Sequence, residues 1–334
     1  MKSTLSILLS AITLATLTAC GGGGGDSPPQ QGAAKVAITS TNQGQVVRAS
    51  VNAGLSVSLP QGSAGGASVA GVASRAQSLG AVAQRAVHAA QASRKGIASA
   101  SAHPAAALSD TEPCAVSGTM TITLDDRDNN QAVSKNDVVS ASFAQCKDSA
   151  TSSINGAITI TLTDTPTDTQ FSASANFQNL VAIDGGVTAS LSGIVSVGET
   201  DTANSTETFL TVGQSGLTVS VASSDYTDSV IFDSGMLIHT LAVSDPNGFV
   251  STILDGSFTV QSLGGKVTVA TPLGLTQNNA DAFPSSGQLE ITGASGSKVR
   301  ATVLDKTQVR LELDANGDGT YEATSTVAWS TLIG

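Results

Sequence analysis

A short stretch near the end of the chain, LDANGDGTYE, could bind a metal ion. Five of its residues carry oxygen atoms at every second position: Asp314, Asn316, Asp318, Thr320 and Glu322. Oxygen ligands at this spacing can wrap a calcium ion, although the twelfth place, usually a bidentate glutamate, is Ser325. The spacing therefore predicts a weak calcium site. Since Asn-Gly and Asp-Gly also form tight turns without metal, a plain turn is the alternative.

A second acidic stretch, LDDRDNNQAVSKND, has less regular spacing. Its candidate calcium ligands are Asp126, Asp128, Asn130 and Asp137. The alternative is a solvated polar loop that joins two strands. We expect this second stretch to be the weaker metal candidate.

Enzymatic chemistry is not indicated elsewhere. The three histidines, His88, His103 and His239, are far apart in the sequence, and no zinc-type cluster accompanies them. No G-x-S-x-G nucleophile motif and no glycine-rich phosphate loop occurs. His239 lies in the apolar stretch GMLIHTLAV, where a residue with partners inside a sheet is expected. We therefore expect a non-catalytic protein.

Alternating apolar and hydroxyl residues dominate the chain from about residue 114 onward. In TMTITL the apolar residues Met120, Ile122 and Leu124 fall on one face, and QFSASANF places Phe171 and Phe177 together. A period of two predicts strands with one buried face. Trp329 continues this alternation, so the last strand is expected to include it and close an edge of the core.

Turn residues separate these runs by short distances. Asn155-Gly156, Asp184-Gly185-Gly186 and Leu263-Gly264-Gly265 are interpreted as turns, and so is the stretch 213–216. Because no long helical pattern intervenes, parallel βαβ units are excluded. The sequence predicts a mainly β fold: an antiparallel meander curled into a large sheet, half-barrel or sandwich.

The first residues form an export signal. Lys2 precedes an apolar run that is too short to span a bilayer, and the segment ends in Leu-Thr-Ala-Cys at Cys20. These four residues resemble the lipobox of bacterial lipoproteins. The resemblance implies that signal peptidase II removes residues 1–19 and that the Cys20 thiol carries diacylglycerol, with acyl chains such as palmitate. Gly21 rather than Asp implies, by the same resemblance, sorting to the outer membrane of a Gram-negative cell.

Two cysteines remain if Cys20 is lipidated: Cys114 and Cys146. An exported chain enters an oxidising compartment, so we expect a disulfide between them, with two separate thiols as the alternative. Matching the apolar faces pairs Met120 with Phe143, which is offset from the register that the cysteines suggest. A β-bulge, or a cysteine just beyond the end of its strand, would reconcile the two.

Composition divides the rest of the chain. Residues 20–33 form a Gly/Pro/Gln tether; residues 34–109 are a basic, partly helical segment and linker; residues 110–334 form an acidic β domain. From Cys20 to Ser109 the net charge is +5, and from Asp110 onward it is −17. The acidic domain would repel phosphate, so nucleic acid is not an expected partner. The basic segment either folds back onto the acidic domain or faces anionic headgroups.

The basic segment contains two helical patterns. An Ala-rich one runs from Val69 to Ala90, with apolar residues at steps of three and four. A weaker one follows Asn42, with Val47, Val51 and Leu55 on one side.

The last forty or so residues resemble the ending of secreted β-rich lipoproteins of Gram-negative bacteria, a resemblance that implies no particular activity. Two functions follow from the sequence. The first is a membrane-anchored protein that holds a lipid or other apolar ligand in the curled sheet. The alternative is a structural or adhesive surface protein with calcium-supported loops. The bilayer is the expected partner in both cases.

Overall fold

The computed structural model describes residues 33–57, 108–147, 149–184, 187–222, 227–244 and 248–333. The predicted signal peptide, nearly all of the predicted tether and the Ala-rich pattern from Val69 to Ala90 lie outside these residues. Residues Ala33 to Gly334 form one compact unit. No helix within the described ranges combines the length and apolar character needed to cross a bilayer.

The described chain is mainly β, as the alternating pattern predicts. Helix α1 (Gln43–Val57) comes first, a short 3-10 turn (Ala294–Gly296) lies between β12 and β13, and helix α2 (Trp329–Ile333) ends the chain. The strands are β1 Leu108–Pro113, β2 Ser117–Asp125, β3 Val138–Lys147, β4 Ser152–Leu162, β5 Gln170–Asp184, β6 Val187–Asp201, β7 Ser205–Ala222, β8 Thr227–Phe232, β9 Leu237–Val243, β10 Phe249–Val260, β11 Gly265–Asn278, β12 Ser286–Thr292, β13 Lys298–Val303, β14 Gln308–Asp314 and β15 Ala323–Ala328.

All fifteen strands belong to one antiparallel sheet, which confirms the predicted meander. Apart from the region of β8 and β9, neighbours in the sheet are neighbours in the chain, with β1 and β15 at the two ends of the order. Strands β8 and β9 share a single position between β7 and β10, because each pairs with a different part of both. The break between them is held by a 2.6 Å ion pair between Lys266 and Asp233.

One face of the sheet forms the core. Ile158, Ile160 and Leu162 of β4 are fully buried, and Phe171 and Phe177 of β5 are buried as predicted. The buried residues of β2 to β14 form one continuous hydrophobic cluster, so the sheet curls around a common interior. The opposite face carries hydroxyl pairs between neighbouring strands, such as Thr111 with Thr121 at 2.9 Å.

A line of β-bulges crosses the sheet and provides its curvature. The register shifts in successive strand pairs from β2–β3 to β6–β7 and again in β10–β11 and β11–β12. At Gly193 (φ 131°) a side chain would collide with the backbone oxygen of Gly216 on the next strand. Bulges bend strands and increase twist, and this row of them lets one sheet close over a core.

Two turns that the sequence predicts are instead β-bulges inside strands, so these two predictions are wrong. Asn155-Gly156 lies inside β4, and residues 213–216 lie inside β7. Both belong to the bulge line, where the same residue types supply the positive φ that a turn would need: Gly156 has φ 111° and Gly216 has φ 73°. Of the other predicted turns, Leu263 and Gly264 lie between β10 and β11, and residues 185–186 lie outside the described residues, between the end of β5 at Asp184 and the start of β6 at Val187.

Helix α1 confirms the weaker helical pattern after Asn42. It packs on β10, β12, β13, β14 and α2, and its Val46, Val47 and Val51 are buried in the core. Just before it, Lys35 forms a parallel bridge with Lys266 of β11. The described part of the basic segment thus lies on the acidic β domain.

The end of the chain differs from the prediction. Strand β15 stops at Ala328, and Trp329 begins helix α2 instead of continuing the strand. Trp329 is nevertheless buried, at 1% exposure, and its ring stacks on Phe283 at 6.3 Å between centroids. The indole N–H donates to the backbone oxygen of Asp305 at 3.3 Å. Its predicted role at the edge of the core is therefore fulfilled from a helix.

Candidate functional site

The C-terminal loop, residues 314–322, joins β14 to β15 and is organised by one buried carboxylate. Asp314, the last residue of β14, is 1% exposed. Its Oδ1 accepts the N–H of Gly317 at 2.7 Å and its Oδ2 accepts that of Gly319 at 2.9 Å. A carboxylate that accepts backbone N–H groups fixes the path of the loop around it.

The remaining polar residues of the C-terminal loop continue this pattern. The Asn316 Oδ1 accepts the N–H of Asp318 at 2.8 Å, and the Asp318 Oδ1 accepts the N–H of Thr320 at 2.8 Å. The backbone N–H of Thr320 and the side chain of Asn316 lower the pKa of Asp318 below its usual value. The Glu322 Oε2 accepts the N–H of Ala315 at 3.0 Å. These contacts close the loop through its own backbone.

The loop also fits closely against the 3-10 turn. Gly317 has φ 80°, and a side chain there would collide with the backbone oxygen of Ser295. Ser295 itself has φ 53°, so both segments adopt left-handed backbone where they meet. Glycine at 317 is therefore required both by conformation and by space.

Three of the five predicted ligands converge. Carboxylate oxygens of Asp314, Asp318 and Glu322 all lie within 4.8 Å of one another. Such oxygens suit calcium, which takes six to eight of them, so further oxygens would have to come from Asn316, Thr320, the backbone or water. Each carboxylate also serves as a hydrogen-bond acceptor for the turn, and calcium at this loop stays a prediction.

The N-terminal loop, residues 126–137, joins β2 to β3 and is built in the same way. Asp137 is fully buried. Its Oδ1 accepts the N–H of Arg127 at 3.0 Å, and its Oδ2 accepts the N–H of Ser134 at 2.8 Å and the Ser134 hydroxyl at 3.3 Å. This buried carboxylate ties the two halves of the loop together.

The structure also brings together three of the four weaker candidates. Carboxylate oxygens of Asp126, Asp128 and Asp137 lie within 4.8 Å of one another. Asn130 donates its backbone N–H to Asp126 at 3.2 Å and its side-chain amide to Asp128 at 2.9 Å. Asn130 therefore stabilises the carboxylates through its nitrogens, and calcium stays a prediction here as well.

The two loops lie at opposite ends of the sheet. In an antiparallel meander, successive connections alternate between the two ends. Counting β8 and β9 as one strand, the β2–β3 connection and the β14–β15 connection fall at different ends. The two carboxylate clusters therefore cannot form one shared site.

The cysteine pair is present as predicted. Cys114, in the turn after β1, forms a disulfide with Cys146 of β3, with a Cα–Cα distance of 5.4 Å. Cys20, the predicted lipidation site, lies outside the described residues.

His239 has partners inside the sheet, as its apolar strand predicts. Its ring stacks on Phe209 at 4.2 Å between centroids, and its Nε2 lies 2.8 Å from the Glu207 Oε1. Both partners come from β7, which pairs with β9 in register at Phe209 and His239. These contacts explain the residue without a ligand.

A charged cluster that the sequence did not predict lies beside the C-terminal loop. Glu290 of β12 lies 3.0 Å from Lys298 and 3.6 Å from Arg300 of β13, and the Arg300 guanidinium lies 4.3 Å from the centre of the Tyr321 ring. Burial alone raises the pKa of Glu290, but Lys298, Tyr321 and Arg300 outweigh it, and the pKa falls below its usual value. Alternating charges on adjacent strands were the only available signal.

Comparison of the chain with protein-family models, curated proteins and solved structures gives no match in any of the three. The resemblances to lipoproteins therefore stay predictions.

Proposed function

We propose that this protein is a non-catalytic structural component of the cell envelope, held to the outer membrane by a diacylglycerol anchor on Cys20. The proposal combines the lipobox-like end of the signal with an independently packed, disulfide-bonded β domain. The β domain supplies bulk and a hydroxyl-rich outer face. The anchor supplies the location.

One observation favours a structural role over storage of an apolar ligand. Side chains on the inner face of the sheet are already enclosed by protein: Phe232, Phe258, Val267 and Val299 have no exposed surface. A pocket for a lipid needs apolar walls that are accessible to the ligand. The packed interior therefore supports a domain whose core serves stability, and its outer surface is left for contacts with other molecules.

Ligand content tests this choice. The full-length protein is purified in detergent, digested to remove the anchor peptide, and extracted for bound lipid. We expect no stoichiometric lipid other than that covalently attached. A lipid present at about one per chain, displaced when Phe258 is enlarged to Trp, would overturn the structural role in favour of ligand binding.

The anchor is tested separately. Cells that express the wild-type chain or Cys20→Ala are labelled with a palmitate analogue and their membranes are separated by density. We expect label and outer-membrane fractionation for the wild type and loss of both for Cys20→Ala. The matched control, Cys114→Ala, keeps Cys20 and should retain the label. Unchanged labelling of Cys20→Ala would contradict the anchor.

A further inference from the structure

The two edges of the sheet differ in how they are protected. Among the described residues, strands β1 and β15 stand at the ends of the hydrogen-bonded order, so each presents one row of backbone groups away from the neighbour with which it pairs. Unprotected edges pair readily with other strands, and proteins usually block them with charges, proline, bulges or a covering segment.

Strand β1 carries such protection. Its sequence, LSDTEP, contains Asp110 and Glu112, and it ends in Pro113, which has no N–H to donate. Two copies of this strand brought side by side would place acidic residues close together. The β1 edge is therefore a poor partner for itself.

Strand β15 carries no acidic residue and no proline. Its sequence, ATSTVA, contains no charge, proline or glycine. All six residues pair in continuous register with β14, from Ala323 opposite Leu313 to Ala328 opposite Gln308, without a bulge. It is a regular, neutral edge on a domain whose net charge is strongly negative.

The alternation of hydrogen bonds between β14 and β15 shows which backbone groups of β15 face away from β14. The N–H of Trp329 donates to the oxygen of Thr307, which lies opposite it one step beyond the last registered pair. Because bonding alternates along an antiparallel strand, residues 323, 325 and 327 bond to β14. Thr324 and Thr326 then direct their N–H and C=O groups outward, and Ala328 directs its N–H outward, while its C=O precedes helix α2 and is placed to accept the first N–H of that helix. Among the described residues, no turn, loop or cap hydrogen bond involves the backbone of Thr324 or Thr326.

We propose that β15 pairs with β15 of a second copy of this chain, antiparallel about a two-fold axis at Thr326. In this register Thr326 faces its own copy and both donates and accepts, and Thr324 faces Ala328 and accepts its N–H. The two faces of the sheet continue across the axis, since directly opposed residues share a face. A two-fold contact closes on itself and gives a dimer, whereas pairing of β15 with β1 would be heterologous and would extend. The inference stands on the sheet edge and does not depend on the membrane anchor.

A cysteine at the axis tests the pairing. Opposed residues in a hydrogen-bonded antiparallel pair have Cα atoms about 5.5 Å apart, within the range for a disulfide. The full-length Thr326→Cys variant is expressed, exported and analysed on non-reducing gels. We expect a reducible dimer joined through the introduced cysteine, verified by peptide mass spectrometry, and its absence from the wild type, which controls for Cys20.

The matched control is Thr111→Cys, which places the same change in the middle of β1. Equal cross-linking at 111 and 326 would indicate random collision and overturn the proposal. So would the absence of dimer in a Thr326→Cys protein whose Cys114–Cys146 disulfide and β-type circular dichroism are intact. Mixed 111–326 cross-links between the two variants would replace the two-fold pair with head-to-tail pairing.

A charge on the edge provides a second readout. Thr324→Lys in the Thr326→Cys background places an ammonium group on each side of the axis, next to the cross-linking position. We expect loss of most of the cross-linked dimer. Thr111→Lys in the same background should leave the yield unchanged, and an equal loss in both would count against a specific β15 contact.

Discussion

The hairpins β2–β3 and β14–β15, near the two edges of the sheet, bury an aspartate in the same way. Each contains an acidic loop in which one buried aspartate accepts backbone N–H groups: Asp137 from Arg127 and Ser134, and Asp314 from Gly317 and Gly319. A buried carboxylate is tolerated only when its hydrogen bonds are satisfied. Both loops meet this condition with their own backbones.

The hairpins differ in what secures them to the rest of the fold. The first is joined covalently to the β1 turn by Cys114–Cys146, across the bulge at Gln145. The second is held by packing, with Trp329 stacked on Phe283 and Arg300 over the ring of Tyr321. Similar loops are therefore attached to the rest of the fold by a disulfide at one edge and by aromatic packing at the other.

The largest expected loss of stability comes from removing the aromatic packing of Trp329. Trp329→Ala removes a fully buried ring and its bond to Asp305, and we expect a loss of about 3–5 kcal/mol in the free energy of unfolding. Denaturant titration measures it. Thr331→Ala, an exposed position in the same helix, is the control. A loss no larger than that of the control would show that the packing of Trp329 does not stabilise this edge of the sheet.

The Cys114–Cys146 disulfide should contribute slightly less to the free energy of unfolding. Replacing Cys114 and Cys146 together with Ala frees a loop with a sequence separation of 32 residues. The chain-entropy relation gives a loss of about 3–4 kcal/mol for a loop of this size. Hydrogen exchange should rise mainly in β1 to β3. An equal rise in β14 and β15 would indicate that the two hairpins are not secured independently.

The shared chemistry is tested by parallel substitutions of the buried carboxylates. Asp137→Asn and Asp314→Asn each replace one acceptor oxygen with a donor that faces N–H groups, and each should cost about 1–3 kcal/mol in unfolding free energy. Asp168→Asn, an exposed residue between β4 and β5, should cost little. A loss of stability in only one of the two variants would show that the two loops do not depend on their buried carboxylates in the same way.

Calcium should have the smallest effect. A weak site with a dissociation constant of about 1 mM would raise the free energy of unfolding by about 1.4 kcal/mol at 10 mM calcium. Thermal melting of the wild type measures this effect, with magnesium as the ion control. Glu322→Gln should abolish the shift if the C-terminal loop binds the ion, and Asp128→Asn if the N-terminal loop does. An unchanged melting temperature would remove the metal prediction.

Much of the sheet follows from local sequence. A period of two identifies the strands, and matching the apolar faces gives the pairing of Met120 with Phe143 that the structure contains. The disulfide is also correct, although the two registers disagree. Cys114 lies before the start of β2, in the turn after β1, so its bond to Cys146 does not follow the strand register, and one extra residue on β3, Gln145 with φ 49°, adds a bulge beside it. The sequence allowed a bulge there but did not locate it.

The remaining features depend on contacts between distant parts of the chain. Asn155-Gly156 supplies the same local signal in a turn and in a bulge, and only the neighbouring strand decides between them. Trp329 leaves the strand alternation because its place lies against Phe283 and Asp305. Burial of Asp137 and Asp314 is equally hidden, since an acidic loop in a sequence gives no sign of which carboxylate turns inward.

The order of the strands has a consequence for how the molecule is made. A meander can assemble one hairpin at a time as the chain is made, because each strand finds its partner next to it in sequence. Helix α1 is the exception: it appears first, yet its packing surface on β10 to β14 is completed last. The bridge between Lys35 and Lys266 spans most of the chain. We therefore expect docking of the N-terminal helix to be the late step of folding, and a chain that stops before β10 to leave that helix without a surface to bind.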